Sequence, residues 1–217
     1  LPAGAQVLPS SDPATGRHSG AGVFAAIDDL RRQGRHAEAL LLIERRLAHS
    51  PDDDAYRLRV LTLADLGSSR LAAAGVPVRA YGRQWSHHPV DRLRTWELTR
   101  PDLPAKRDIP LEEAYAVQAA AAGAINIHGL QAGHAMRTFE VPGMGGLQLV
   151  DRADVAEFYV PDEEVLVFED ADHLIELGRR VVADPAWGAR IREAGRRRSH
   201  AEHTFAHRAA MAQGWWA

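Results

Sequence analysis

Residues 135–170, AMRTFEVPGMGGLQLVDRADVAEFYVPDEEVLVFED, decide the fold of this 217-residue chain. They contain two short apolar runs, GLQLVD (146–151) and EVLVFED (164–170), beside Gly and Pro residues. Runs of this length favour strands that are buried on both faces. The residues before and between them, 135–144 and 152–160, have helical spacing. Strands that alternate with helices predict βαβ units and a parallel sheet.

The same alternation extends to both sides of this stretch. Two further strands are predicted at VPVRAYG (76–82) and AINIHG (124–129), and further helices at 111–123 and 171–184. A final long helix is expected to begin near Pro185, because proline in a first helical turn costs no hydrogen bond. Residues 71–217 are therefore predicted to form one α/β domain with a doubly wound, Rossmann-like parallel sheet.

The chain ahead of this domain has a different pattern. Residues 1–20 are rich in Pro, Gly, Ser and Ala, which predicts a flexible leader. Residues 21–70 have helical periodicity and predict two or three helices. Within them, residues 34–53 resemble a single tetratricopeptide repeat, with Gly34 and Pro51 at its corners. Because such repeats need about three copies to bury a continuous core, either a plain helical hairpin or a surface for a protein partner remains open.

Composition excludes several classes of protein. Apolar residues make up 46% of the chain and charged residues 25%, which is usual for a globular protein with a core. The formal charge of −3 argues against nucleic-acid binding. The chain has no cysteine, which excludes disulfides and cysteine-ligated metal sites. No apolar run approaches the roughly 20 residues that span a bilayer, and no signal peptide is recognisable, so we expect a cytoplasmic protein.

A candidate ligand site follows from the predicted sheet. Ligands bind such sheets at the carboxyl ends of the strands, and AINIHG would bring Asn126 and His128 to this edge. His134 lies in the next loop. Arg137 and Glu140 are three positions apart on the following helix and share one face. Arginine binds phosphate bidentately and a carboxylate accepts hydrogen bonds from a ribose diol, but an exposed ion pair of about 0.2–0.5 kcal/mol is the alternative.

Four stretches together resemble a known family. GVPVRAYGRQW (75–85), AGAINIHG (122–129), residues 135–185 and IREAGRRRSHAEHTFAHR (191–208) are similar to the carboxyl-terminal, donor-binding half of GT-B glycosyltransferases. The likeness is to the group 1, spore-maturation-protein-like members. It implies metal-independent transfer of a hexosyl group from a nucleotide-diphosphate sugar to an unknown acceptor, a glycan or a protein, with no cofactor.

The resemblance also implies roles for individual residues. Glu140 would bind the ribose diol, Arg137 the diphosphate, and the loop of Gly82, Arg83 and Trp85 would lie near the base. Trp85 could stack on the base, for about 1–3 kcal/mol, or cover the core. The donor-binding residues expected in this way are Arg137, Glu140, Gly143, Gly145, Asn126, Gly82, Arg83 and Trp85, and the candidate catalytic residues are His128 and His134. No metal ligands are assigned, because the adjacent His87 and His88 would point apart.

The sequence departs from the family pattern in two ways. Retaining members with two glutamates place the first eight positions before the second, and that position is Ala132 here. His128 and His134 are either its replacement or structural hydrogen-bonding residues, so retention and inversion both stay open. Only one of the two GT-B halves is recognisable. A truncated chain, missing internal segments and a helical replacement each account for that, and a non-catalytic scaffold with a degenerate donor site is the alternative function.

Overall fold

The computed structural model describes residues 19–33, 35–49, 67–96, 100, 102–128 and 133–215. The predicted leader lies almost wholly outside these residues. So do Gly34 and Pro51 of the repeat-like segment, and Ala132 of the candidate site.

The amino-terminal segment is helical, as its periodicity predicts. Helices α1 (Ser19–Arg32) and α2 (His36–His49) pack against each other. Their contact buries one small cluster of side chains, formed by Ile27, Ala39, Ile43 and Leu47. A third helical stretch, α3, is described over residues 67–73. The resemblance to a tetratricopeptide repeat stays a prediction, since a two-helix hairpin is common to many folds.

Within the described residues, five short strands form two parallel sheets. Strand β1 (Ala80–Tyr81) pairs with β2 (Ala105–Lys106). The strands β3 (Ala124–Asn126), β4 (Gln148–Val150) and β5 (Leu166–Val167) pair in that order. All pairings are parallel, and helices separate the strands along the chain, so the predicted Rossmann-like α/β fold is confirmed.

The helices of this domain follow the strands. They are α4 (Pro89–Thr95), α5 (Leu111–Ala120), α6 (Arg137–Gly143), α7 (Ala171–Ala183), α8 (Pro185–Glu202) and α9 (Phe205–Trp215). The start of α8 is the one predicted, with Pro185 in its first turn and the Asp184 carboxylate accepting from the Trp187 N–H at 2.9 Å. None of the helices that the structure describes is both long and apolar enough to cross a membrane.

The main core lies between the larger sheet and α7 and α8. Leu147 and Leu149 from the β4 segment, Leu166 and Phe168 from the β5 segment, and Leu174 from α7 are all buried there. Helix α8 comes close to the loop before β5, since a Cβ added at Gly195 would lie 2.3 Å from the carbonyl oxygen of Glu164. This core fixes β4 and α8, and α6 packs against both next to the candidate site.

Several local predictions were wrong. Only residues 80–81 of the strand predicted over 76–82 pair with another strand. Strand β2 and helix α4 were not predicted. Strand β2 has two residues, too few for an alternating pattern. Helix α4 has a cap that was overlooked, since His88 Nδ1 accepts from the Val90 N–H at 3.2 Å with Pro89 in the first turn.

Helices α5 and α6 are each three residues shorter than the helices predicted at 111–123 and 135–144. Two other predicted helices differ more. Residues 152–160 contain only a short 3₁₀ helix, Ala153–Glu157. The buried Val155 and Tyr159 are four positions apart, and this spacing made the stretch resemble a longer helix. The final long helix ends at Glu202. A new helix, α9, then begins where the Thr204 hydroxyl accepts from the His207 N–H at 3.5 Å.

Candidate functional site

The candidate site is centred on α6, which follows β3 and leads into β4. Arg137 is exposed and Glu140 is half-buried on this helix. The Glu140 carboxylate accepts a hydrogen bond from the hydroxyl of Tyr115 on α5, over 2.9 Å between Oη and Oε1. Within the part of the chain that the structure describes, Arg137 has no hydrogen-bond or ion-pair partner. The two residues therefore do not form the exposed ion pair that was the alternative to ligand binding.

Asn126 lies beneath the site and is only 3% exposed. Its Nδ2 donates to Gln148 Oε1 over 3.3 Å and lies 3.5 Å from Thr138 Oγ1. Asn126 thus connects the end of β3 to β4 and to α6. In this position the side chain supports α6 from below, and its expected role in donor binding stays a prediction.

His128 is a buried link between β3, β4 and α6. It is 1% exposed, and its main-chain N–H donates to Asp151 Oδ1 over 2.9 Å. Its ring nitrogens are both in contact with polar groups, Nδ1 at 3.3 Å from Asp151 Oδ1 and Nε2 at 2.9 Å from Thr138 Oγ1. With Asp151 ionised, Nδ1 carries the proton and Nε2 accepts from the Thr138 hydroxyl. These contacts are those of a structural hydrogen-bonding residue.

His134 is packed beside His128. Its side chain is 7% exposed, and Nε2 lies 3.6 Å from Asp154 Oδ1. Its ring is edge-on to the ring of Phe158, with 4.9 Å between centroids. Among the described residues its Nδ1 has no hydrogen-bond partner. Burial lowers the pKa of His134, so a neutral ring is favoured, and a catalytic role for either histidine stays a prediction that this packing does not favour.

The loop after β1 contains the residues expected near a base. Gly82 has a φ of 135°, a conformation that other residues rarely adopt. The Asp108 carboxylate, which follows β2, accepts from both Nε and the main-chain N–H of Arg83, each over 2.8 Å. Arg83 is thus held across the two strand ends. Trp85 is half-buried in the same loop.

An open concavity of about 570 Å³ lies between the loops that follow β1 and β2. It is lined by Ser86, His87, His88, Ala105, Lys106, Arg107, Asp108 and Ile109. Sequence analysis pointed to the loop after β1 but not to the second wall, because β2 itself was not predicted.

Beside this concavity, Asp91 is 3% exposed and forms an ion pair with Arg107. The guanidinium donates from Nε over 2.8 Å and from Nη2 over 3.1 Å. This hydrogen-bonded guanidinium lowers the pKa of Asp91. Among the described residues no group of three or more His, Asp or Glu side chains is placed to hold a metal ion.

The two glycines expected at the donor site lie against α8. Gly145 has a φ of 80° in the turn from α6 to β4, and a Cβ there would lie 3.6 Å from Arg196 Cδ. A Cβ at Gly143 would lie 3.9 Å from Ser199 Cβ. Gly145 thus makes the sharp turn predicted from PGMGG, and both glycines pack on the α8 side of α6.

Sequence analysis missed Tyr115, Thr138 and Asp151, which hold the predicted site residues in place. Thr138 lies inside the quoted stretch, between Arg137 and Glu140, but nothing in the sequence marks its hydroxyl as buried. Asp151 directly follows a buried strand, a usable signal. Nothing in LEEAYAVQ (111–118) distinguished Tyr115 from an ordinary half-buried tyrosine.

Comparison with known proteins identifies a family to which the chain is similar. The model of a family described as glycosyl transferase-like matches residues 59–213, which is more than half of the chain. No curated protein and no solved structure matches.

Proposed function

This chain belongs to the glycosyl transferase-like family, and we propose that it transfers a sugar from a nucleotide-diphosphate sugar to an acceptor glycan or protein, independently of a metal ion. Membership supports a role in glycosyl transfer in general. The observation that carries the finer proposal is the Glu140 carboxylate, which is held by Tyr115 through Oε1 while Oε2 has no hydrogen-bond partner among the described residues.

The proposed role of Glu140 is to bind the ribose of the donor. An ionised carboxylate only accepts hydrogen bonds, and a ribose diol offers two hydroxyl donors. Hydrogen bonds to an ionised group are stronger than those between neutral groups. A half-buried carboxylate with one free oxygen therefore suits this ligand better than it suits a further anion.

The proposed role of Arg137 is to bind the donor diphosphate. The guanidinium is exposed, one turn before Glu140 on the same helix. As the bond between the anomeric carbon and the diphosphate oxygen breaks, negative charge develops on the diphosphate. A guanidinium stabilises that charge by bidentate hydrogen bonds. In this proposal Arg137 supplies positive charge at the diphosphate, so that no divalent cation is required.

The nucleoside base is proposed to bind in the concavity between the loops after β1 and β2. Helix α5 begins two residues after Ile109, which lines the concavity. Tyr115 lies four residues into α5, about 6 Å along its axis. Helix α5 therefore connects the concavity at its amino-terminal end to the Glu140 carboxylate, which Tyr115 contacts. Trp85 immediately precedes the lining residue Ser86 and is either a platform for the base or a lid on the core.

Calorimetric titration tests the proposal. The folded chain is titrated with ADP, CDP, GDP, UDP and the corresponding nucleotide sugars, with and without magnesium. We expect saturable binding of one nucleotide, unchanged by magnesium and weakened by Glu140→Ala. The matched control is Glu176→Ala, which removes an exposed carboxylate from α7.

Two results would contradict this function. If the folded chain binds no nucleotide of the panel, the donor site is inert and the scaffold alternative, which Ala132 in place of a glutamate favours, becomes the better one. If Glu140→Ala and Glu176→Ala bind equally well, Glu140 does not contact the donor.

A further inference from the structure

The hydrogen bond between Tyr115 and Glu140 connects two helices from separate parts of the chain. The residues are 25 positions apart, on α5 and α6. The Tyr115 hydroxyl is the donor, since an ionised carboxylate can only accept. Within the described residues it is the only hydrogen-bond donor to the Glu140 side chain.

We propose that Tyr115 is a positioning residue of the donor site, which holds the Glu140 carboxylate by Oε1 and leaves Oε2 to accept from the ribose hydroxyls. This role rests on the proposed function of Glu140. Tyr115 itself need not touch the ligand.

The physical reason is preorganisation. A glutamate on a helix surface has several rotamers, and fixing one of them when a ligand binds costs entropy. A charge-assisted hydrogen bond that already holds the carboxylate removes much of that cost before the ligand arrives. Affinity for a ribose that bonds to this carboxylate is increased accordingly.

A tyrosine is well suited to this task because it is neutral. A guanidinium in its place would bind both carboxylate oxygens and neutralise their charge. The neighbouring Arg137 does not do so here. The hydrogen bond to Glu140 also raises the pKa of Tyr115, so the phenol keeps its proton and remains the donor.

The alternative is that the hydrogen bond only ties α5 to α6. Such a tie contributes to the free energy of unfolding, but it does not distinguish a ribose from a deoxyribose. Discrimination between these two sugars is therefore the measurement that separates a positioning role from a structural one.

The experiment compares binding of ADP, CDP, GDP and UDP with binding of their 2′-deoxy counterparts. We expect Tyr115→Phe to weaken binding of the preferred ribonucleotide about fivefold and to leave binding of its 2′-deoxy form unchanged. Tyr159→Phe is the matched control. It removes a buried tyrosine hydroxyl that lies 2.7 Å from Ser199 Oγ, and it should change neither affinity.

A double-mutant cycle with Glu140→Gln tests whether Tyr115 acts through Glu140. We expect the double variant to bind the ribonucleotide no more weakly than Glu140→Gln alone. Glu140→Asp is a second variant that does not alter Tyr115. It keeps the charge but withdraws the carboxylate from the tyrosine hydroxyl, so it should lose ribose discrimination as Tyr115→Phe does.

The possible results separate a failure of the proposed function from a failure of the role of Tyr115. If the wild-type chain binds no nucleotide, the proposed function and the role of Tyr115 both fail. If the wild type discriminates ribose from deoxyribose, and Tyr115→Phe or Glu140→Asp does so equally well, only the role of Tyr115 is overturned. Effects of Tyr115→Phe and Glu140→Gln that multiply in the cycle would overturn it as well.

Discussion

Arg137 and Glu140 lie one turn apart on α6 but do not form an ion pair with each other. Glu140 accepts from Tyr115 on α5, and Arg137 is exposed and has no ion-pair partner among the described residues. Helical spacing alone favours a weak ion pair at these positions. Because Tyr115 from another helix holds the carboxylate, the guanidinium of Arg137 is left exposed, as its proposed contact with the donor diphosphate requires.

This separation predicts that Arg137→Gln weakens binding of nucleoside diphosphates. A hydrogen-bonded charged pair contributes about 1.5–3 kcal/mol, so the affinity should fall roughly tenfold or more. The free energy of unfolding should change by less than about 0.5 kcal/mol, since the side chain is exposed. Isothermal calorimetry and urea unfolding measure the two quantities.

Arg190→Gln is the matched control, because it removes an exposed arginine from α8. Equal losses of affinity in both variants would mean that Arg137 acts only through the net charge of the protein and makes no specific contact with the diphosphate. The affinity of the wild type should also decrease with added salt more steeply than that of Arg137→Gln.

We predict that the Asp91 carboxylate stabilises the folded chain at neutral pH and that acid removes this contribution. Arg107 holds the pKa of this carboxyl below its ordinary value of 3.8. A carboxyl with a lowered pKa in the folded state stabilises the protein above its unfolded pKa, and the effect is lost as the pH falls through the folded pKa. Asp91→Asn should therefore lower the Tm at neutral pH, and its difference from wild type should begin to shrink near pH 3.8 and vanish below the lowered pKa of the folded state.

The control for Asp91 is Asp172→Asn, which also removes a carboxylate paired with an arginine, Arg70. That pair is exposed at the surface, where ion pairs contribute little. Its Tm should match wild type over the whole pH range. A Tm of Asp91→Asn that follows the wild type at neutral pH would contradict the prediction.

We predict that the folded chain loses stability at alkaline pH, where the Tyr159 phenol ionises. Burial raises the pKa of this phenol from 10.0 to about 12. A group with a raised pKa in the folded state contributes stability that is complete below the unfolded pKa and is lost as the pH rises through the folded pKa. The free energy of unfolding of wild type should therefore fall, by on the order of 2 kcal/mol, between pH 10 and 12.

Tyr159→Phe isolates this contribution, since its other groups titrate as in wild type. The variant should be about 1 kcal/mol less stable at neutral pH, because Ser199 Oγ loses its partner. It should lose less stability than wild type on going to pH 12. Parallel curves for the two proteins in urea unfolding would show that Tyr159 ionises at its ordinary pKa.

The close packing of α8 at Gly195 leaves no room for a side chain. A Cβ at this position would lie 2.3 Å from the carbonyl oxygen of Glu164, so Gly195→Ala should move α8 or the loop before β5. We expect a destabilisation of about 2 kcal/mol or more, typical of overpacking.

At Gly188 in the same helix, a Cβ would lie 3.5 Å from Leu147 Cδ2, an ordinary contact. Gly188→Ala should therefore be neutral or slightly stabilising, because alanine is the better helix former.

Thermal melts of the two variants compare these positions directly. An equal Tm for Gly195→Ala and Gly188→Ala would mean that α8 does not approach Glu164 as closely as the structure shows. Both substitutions add the same methyl group to the same helix, so a difference between the two Tm values reports the contact with Glu164.

The order of helices and strands could be predicted because it depends on local signals. GLQLVD and EVLVFED became β4 and β5, since apolar runs of this length stabilise a strand only when both faces are buried. Pro185 began α8 because proline suits a first helical turn. Where the local signal was two residues long, as at Ala105 and Lys106 of β2, prediction failed.

The sequence by itself therefore determined the α/β class, and it placed Asn126, His128, Arg137 and Glu140 in the segments that form one edge of a parallel sheet. Only the tertiary structure decided what each side chain does there. It buried Asn126 and His128 as supports and paired Glu140 with Tyr115. The physical reason is range: helix and strand preferences act over a few residues, whereas burial and hydrogen-bond partners depend on residues 10 to 25 positions away that packing brings together.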